Sequence, residues 1–127
     1  MPHPFTDLIG LRFEEQRPGY SRCTLEVSEK HFNPHGVAHG AVAYALADTG
    51  MGAALHRTLD PGELCATIEI KISYFKPVRA GTLRCVTEIV NRGKKVASME
   101  SSVYAGEALV ARASGTYSIF TPGANAA

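Results

Sequence analysis

Asp48 stands alone. From Asn33 to Leu55 the chain reads "NPHGVAHGAVAYALADTGMGAAL", and Asp48 is its one charged residue. An ionised carboxylate among apolar neighbours is costly unless it is paired. Two roles can keep it there. One is structural, as acceptor for a nearby backbone N–H or a tyrosine; the other is chemical, as base or nucleophile. Upstream, His39-Gly40 stands where a helix can begin. The first N–H groups of a helix have no partners within it and lie at the positive end of its dipole, which suits a developing oxyanion. Glycine there lets a reacting group approach the backbone closely.

His31, His35 and His39 recur at intervals of four, the spacing of a metal-binding helix face. Pro34 and Gly36 lie between them and break any such turn, so no metal site is expected. His35 reads as a loop residue, while His39 is placed to orient the loop or a bound carbonyl. The cysteines, Cys23, Cys65 and Cys85, are odd in number, far apart and each in a strand-like stretch. That pattern predicts three reduced, half-buried thiols in a cytoplasmic protein rather than a disulfide framework or a zinc knuckle.

These residues need a scaffold. "LRFEEQR" and "YSRCTLEVS", split by Pro18-Gly19, predict strand, turn and strand. The loop "EKHFNPHGV" follows. From His39 to about Arg57 the chain is rich in Ala, Leu and Met and free of proline, which predicts a helix. Its apolar residues lie all round, so burial on nearly every side is expected. In "TIEIKISYF", Ile68, Ile70 and Ile72 alternate with Glu69, Lys71 and Ser73. "TLRCVTEIV", "KKVASMESSVYA" and "EALVARASGTYSIF" follow, separated by "NRG" and "AGE" turns. Four strands joined by short hairpins imply a mostly antiparallel sheet, because parallel pairs need long crossovers. One apolar helix and one such sheet make an α+β domain with the sheet curled around the helix.

The 127 residues suit a single domain, with 121–127, "TPGANAA", as a frayed tail. Apolar residues make up 45% and charged residues 20%, which excludes disorder. A net charge of +1 argues against a nucleic-acid coat. The apolar run is too short and Gly-rich to span a bilayer, and the N-terminus shows no secretion signal.

Four stretches in order, "NPHGVAHGAVAYALADTG", "ISYFKPVRAGTL", "NRGKKVA" and "ARASGTY", resemble the hotdog-fold acyl-CoA thioesterases over residues 6 to 120. The branch they are most similar to is that of the phenylacetate-pathway and hydroxybenzoyl-CoA enzymes. The resemblance implies a hotdog fold, a homodimer with sites at the subunit interface, often paired into a homotetramer, and hydrolysis of an acyl-CoA with neither metal nor organic cofactor. Carried over residue by residue, it implies that the Gly40 N–H and the Asn33 side chain address the thioester carbonyl, with His39 beside them. Asp48 falls on the base or nucleophile, and Thr67 on a residue that helps to place water. Ala41 departs from a more usual second glycine, which implies a slightly tighter site. For the CoA moiety the resemblance favours "NRGKK", hence Arg92, Gly93, Lys94 and Lys95; "FKPVRAG" adds Lys76 and Arg79. Exposed turns also carry such residues for solubility alone.

Geometry constrains this reading. Gly40 and Asp48, eight residues apart on one helix, are separated by about 12 Å along its axis. A two-fold dimer with antiparallel helices would bring Asp48 of one subunit to Gly40 of the other. Hotdog folds also host hydratases and dehydratases, and "HFNP" at His31 faintly resembles the dehydratase loop, although no glutamate stands at the matching helix position. A non-catalytic acyl-CoA sensor is the third reading, in which Asp48 would have no task.

Overall fold

The computed structural model describes residues 3–123. The chain forms a short helix α1 (Pro4–Ile9), strands β1 (Leu11–Arg17) and β2 (Tyr20–Glu26), a long helix α2 (Gly40–His56), and strands β3 (Leu64–Tyr74), β4 (Thr82–Arg92), β5 (Val96–Ala105) and β6 (Ala108–Phe120). Residues 124–127 of the expected tail lie outside the described residues. Helix α1 carries no long periodic pattern and was not expected. Proline sits in its first turn and Gly10 closes it in the left-handed conformation at φ 78°.

The strands make one antiparallel sheet in the order β1-β2-β4-β5-β6-β3, wrapped around α2. The expected run of four hairpin-linked strands therefore holds only from β4 to β6. β3 lies at the far edge against β6, and β4 pairs with β2 instead. The link from β3 to β4 is a traverse along the end of the sheet. Phe75 N–H donates to Val110 O on β6 (2.8 Å), Ala38 N–H to Val78 O (2.7 Å), and Val27 N–H, just past β2, to Gly81 O (2.9 Å). Those bonds carry residues 75–81 past the start of α2.

Helix α2 packs its buried face on the sheet. Leu46, Met51, Leu55 and Ala47 are fully buried against Cys23, Cys85, Met99 and Val103. At the centre the approach is close: a Cβ on Gly50 would stand 2.6 Å from Thr87 Oγ1. A row of buried hydroxyls fits under it. Ser21, Thr87 and Ser101 are register partners on β2, β4 and β5. Ser21 Oγ donates to Gly50 O at 2.7 Å, Ser101 Oγ to Ala47 O at 3.3 Å, and Thr87 Oγ1 pairs with Ser101 Oγ at 2.7 Å. No buried side-chain polar atom is left unpartnered among the described residues.

Burial on nearly every side is not what the single chain shows. Ala41 and Tyr44 are exposed, and Asp48 and Gly52 half-buried, a stripe at helical spacing that the curled sheet does not reach. The alternation expected of β3 also changes. A bulge at Thr67–Glu69 shifts the register, so Cys65, Ile70 and Ile72 turn toward the core while Ile68 is 56% exposed. All three cysteines are free; Cys23 and Cys85 are fully buried rather than half-buried, and only Cys65 is intermediate.

Candidate active site

Asp48 sits midway along the open stripe of α2, and two side chains hold it. Thr67 Oγ1 donates to Asp48 Oδ1 at 2.9 Å. The Tyr117 hydroxyl lies against the same Oδ1 and also within 2.7 Å of Asp48 O. Thr67 and Tyr117 are register partners on β3 and β6, and the bulge begins directly after Thr67. Burial and the facing Asp48 carboxylate push the Tyr117 phenol far above its ordinary range, so it remains a donor at any working pH. Asp48 Oδ2 accepts no hydrogen bond among the described residues. Asp48 stood out in the sequence by its isolation, and Thr67 came only from the resemblance, as a residue placing water rather than as a donor to Asp48; Tyr117, which looks there like one more strand aromatic, was missed.

The second cluster lies at the start of α2. His39 caps the helix, its Nδ1 accepting from Ala41 N–H at 2.9 Å, and its O accepts from Val42 N–H at 2.9 Å. The Gly40 N–H has no partner among the described residues. Tyr74 closes one side: its hydroxyl donates to Gly40 O at 2.6 Å, and a Cβ on residue 40 would stand 3.1 Å from its ring. Asn33 Oδ1 accepts from His35 N–H (2.8 Å) and Val37 N–H (3.4 Å), which folds the loop and leaves the amide NH2 as its free donor. Ala38, His39, Gly40, Tyr74, Lys76 and Val78 line much of a cleft of about 360 Å³ here.

The three histidines do not converge. His31 is buried, with Nδ1 accepting from Ser28 N–H at 2.9 Å and Nε2 facing Ile9 O at 2.7 Å, while His35 is exposed. Among the described residues no group of three or more His, Cys, Asp or Glu is gathered in a way that could hold a metal. Nor do the basic residues form one rim. Arg92 is engaged internally: Nε donates to Thr58 Oγ1 (3.1 Å), Nη1 to Gly93 O (2.5 Å), and Nη2 to Thr58 O (3.1 Å) and Glu63 Oε1 (3.3 Å). It fastens the loop after α2 to the β4–β5 turn. Gly93 is needed there because a Cβ would meet Val96 O at 2.6 Å. Lys94 and Lys95 on that turn are exposed, as are Lys76 and Arg79 on the traverse at the other end of α2.

One chain thus holds an anchored carboxylate and a helix-start cleft on the same helix, about 12 Å apart along its axis. A family model for the thioesterase superfamily matches residues 35–111, more than half of the chain and all of α2. The chain belongs to the thioesterase superfamily. A protein of Saccharolobus solfataricus is 32% identical over 115 residues, covering 90% of this chain and 76% of its own length. The 1,4-dihydroxy-2-naphthoyl-CoA hydrolase of Listeria monocytogenes is 26% identical over 97 residues, 76% of this chain and 79% of the relative. Among solved structures, a variant of the phenylacetic acid degradation protein PaaI of Thermus thermophilus superposes with a TM-score of 0.85 at 29% identity, covering 91% of this chain and 98% of that one. The thioesterase reading made from the motifs is borne out at this level: the protein is a hotdog-fold thioester hydrolase. No helix is long and apolar enough to cross a membrane among the described residues.

Proposed function

We propose that this thioesterase hydrolyses an acyl-CoA to the free acid and CoA at sites shared between two copies of the chain. The carrying observation is the placement of Asp48 on the open stripe of α2, anchored through one oxygen and far from the unpartnered Gly40 N–H of its own chain. In an antiparallel helix pair, the Asp48 of a second copy would face Gly40 and Asn33. The thioester carbonyl would accept from the Gly40 N–H and the Asn33 amide, which stabilise the oxyanion as it forms. Asp48 would then act in one of two ways: as base it takes a proton from the attacking water, and as nucleophile it forms an anhydride that water cleaves. Either route expels the CoA thiolate, which leaves as the thiol once protonated.

The same pairing brings Lys94 and Lys95 of the second copy toward the Gly40 end, where Lys76 and Arg79 already stand. These residues, rather than the internally bonded Arg92, are the proposed partners of the CoA phosphates. Neither metal nor organic cofactor enters this chemistry. Free thiols suit a cytoplasmic setting, and two such dimers can pair into a tetramer. The dehydratase alternative would require His31 to face substrate, whereas both its ring nitrogens are bonded inside the chain.

The test is thiol release from a panel of aromatic, short-chain and medium-chain acyl-CoAs, before and after exhaustive chelation. Turnover of at least one class, unchanged by chelation, is expected. No release from any class, or loss on chelation with recovery on adding zinc, would contradict the proposal.

A further inference from the structure

We propose that Tyr117 is a positioning residue for Asp48: with Thr67 it engages one carboxylate oxygen, Oδ1, and so presents Oδ2 as the atom that acts on the substrate. This rests on the reading of Asp48 as base or nucleophile given above.

Tyr117 is 3% exposed, its ring fixed in the core beside Met51, Ala97 and Ile119. A buried phenol needs one acceptor, and Asp48 O at 2.7 Å would suffice for that. The ring instead brings the hydroxyl against Asp48 Oδ1 as well, so the same group reads both the backbone and the side chain of one residue. Thr67 adds a second donor to the same oxygen from the neighbouring strand. Hydrogen bonds to an ionised acceptor are roughly twice as strong as neutral ones. Turning the carboxylate would break both together. The two donors differ in setting: Thr67 comes from an exposed edge strand, Tyr117 from the packed core. The core donor is therefore the one that ties the carboxylate's orientation to the rigid part of the fold. Productive geometry must be held within about 0.5 Å, and misplacement by about 1 Å can reduce rate a hundredfold.

Tyr117→Phe removes the hydroxyl and keeps the ring. With the acyl-CoA turned over fastest in the panel, we expect kcat to fall about tenfold while KM stays within about twofold. In an Asp48→Asn background the same change should alter the residual kcat less than about twofold, because no carboxylate remains to be positioned. An unchanged kcat, or equal losses in both backgrounds, would overturn the proposal while leaving Asp48 as the reactive group. Wild-type turnover in Asp48→Asn alone would overturn the reading of Asp48 and this inference with it. A second measurement holds even where Tyr117→Phe does not fold. The hydroxyl proton of Tyr117, shielded by burial, should give a downfield resonance in the wild-type protein that shifts on Asp48→Asn. A resonance unmoved by that substitution would overturn the contact.

Discussion

β5 runs through the middle of the sheet and β3 along its edge, and the two treat alternation differently. On β5, Ala97, Met99, Ser101 and Val103 are buried in strict alternation, and every second side chain serves the core. On β3 the alternation holds for Ile70 and Ile72, then slips at the bulge, leaving Ile68 outside and Thr67 on Asp48. A bulge re-aims side chains at the cost of regular pairing. The regular strands set how deep α2 lies, through Gly50 and the hydroxyl row, while the irregular edge supplies a group to the carboxylate. Tyr117 belongs to both regions, in the core by its ring and at the site by its hydroxyl.

The largest effect should come from the helix carboxylate that the edge strand helps to hold. Asp48→Asn is expected to lower turnover by about two orders of magnitude or more, as loss of a base or nucleophile does, with the fold intact by circular dichroism. Turnover within about threefold of wild type would remove Asp48 from the mechanism. The centre should respond in stability instead. Gly50→Ala brings a Cβ to 2.6 Å from Thr87 Oγ1, in a row of hydroxyls that is already fully bonded. Overpacking of this kind destabilises by about 1–3 kcal/mol, readable in urea denaturation. An unshifted midpoint would mean that Thr87 turns aside and that the helix is not set by this contact.

A smaller effect is expected from Cys23 and Cys85, free core thiols opposite each other on β2 and β4. Burial pushes Cys23 up to about 12 and Cys85 up to about 11, from an ordinary thiol value of 9.0. Above pH 9 the unfolded chain releases these protons while the folded chain keeps them, so the unfolded state binds fewer and stability falls as pH rises. The contribution is complete below pH 9 and is lost on the way to about pH 12. Melting temperature should decline across that window, and less steeply in Cys23→Ala. A flat profile through pH 11 would show that burial does not hold these thiols protonated.

Much of this division could be read from the residues. Composition without proline marked α2, Pro18-Gly19 marked the first hairpin, and the isolation of Asp48 marked the carboxylate. What stayed hidden depended on partners distant in the chain. β3 and β4 lie apart in the sheet because backbone bonds at Val110, Val78 and Gly81 carry the traverse between them, and side-chain patterns do not encode those bonds. Arg92, which the resemblance assigns to CoA together with its neighbours, is bonded to Thr58 and Glu63, 34 and 29 residues earlier, and nothing in its own stretch of sequence marks those acceptors. Tyr117 approaches Asp48 across 69 residues, and only the sheet register shows it opposite Thr67.

Whether one site draws on two chains is measured directly by mixing two inactive variants. Asp48→Asn and Asn33→Ala proteins are combined in equal amounts under conditions that exchange subunits, with exchange confirmed by mass spectrometry. In a mixed dimer with shared sites, one site carries both lesions and the other carries none. Random exchange makes half the dimers mixed, so about a quarter of wild-type activity should return. If Asn33 and Asp48 instead serve a site within one chain, every site keeps one lesion and mixing restores nothing; that flat result, with exchange complete, would contradict the shared site.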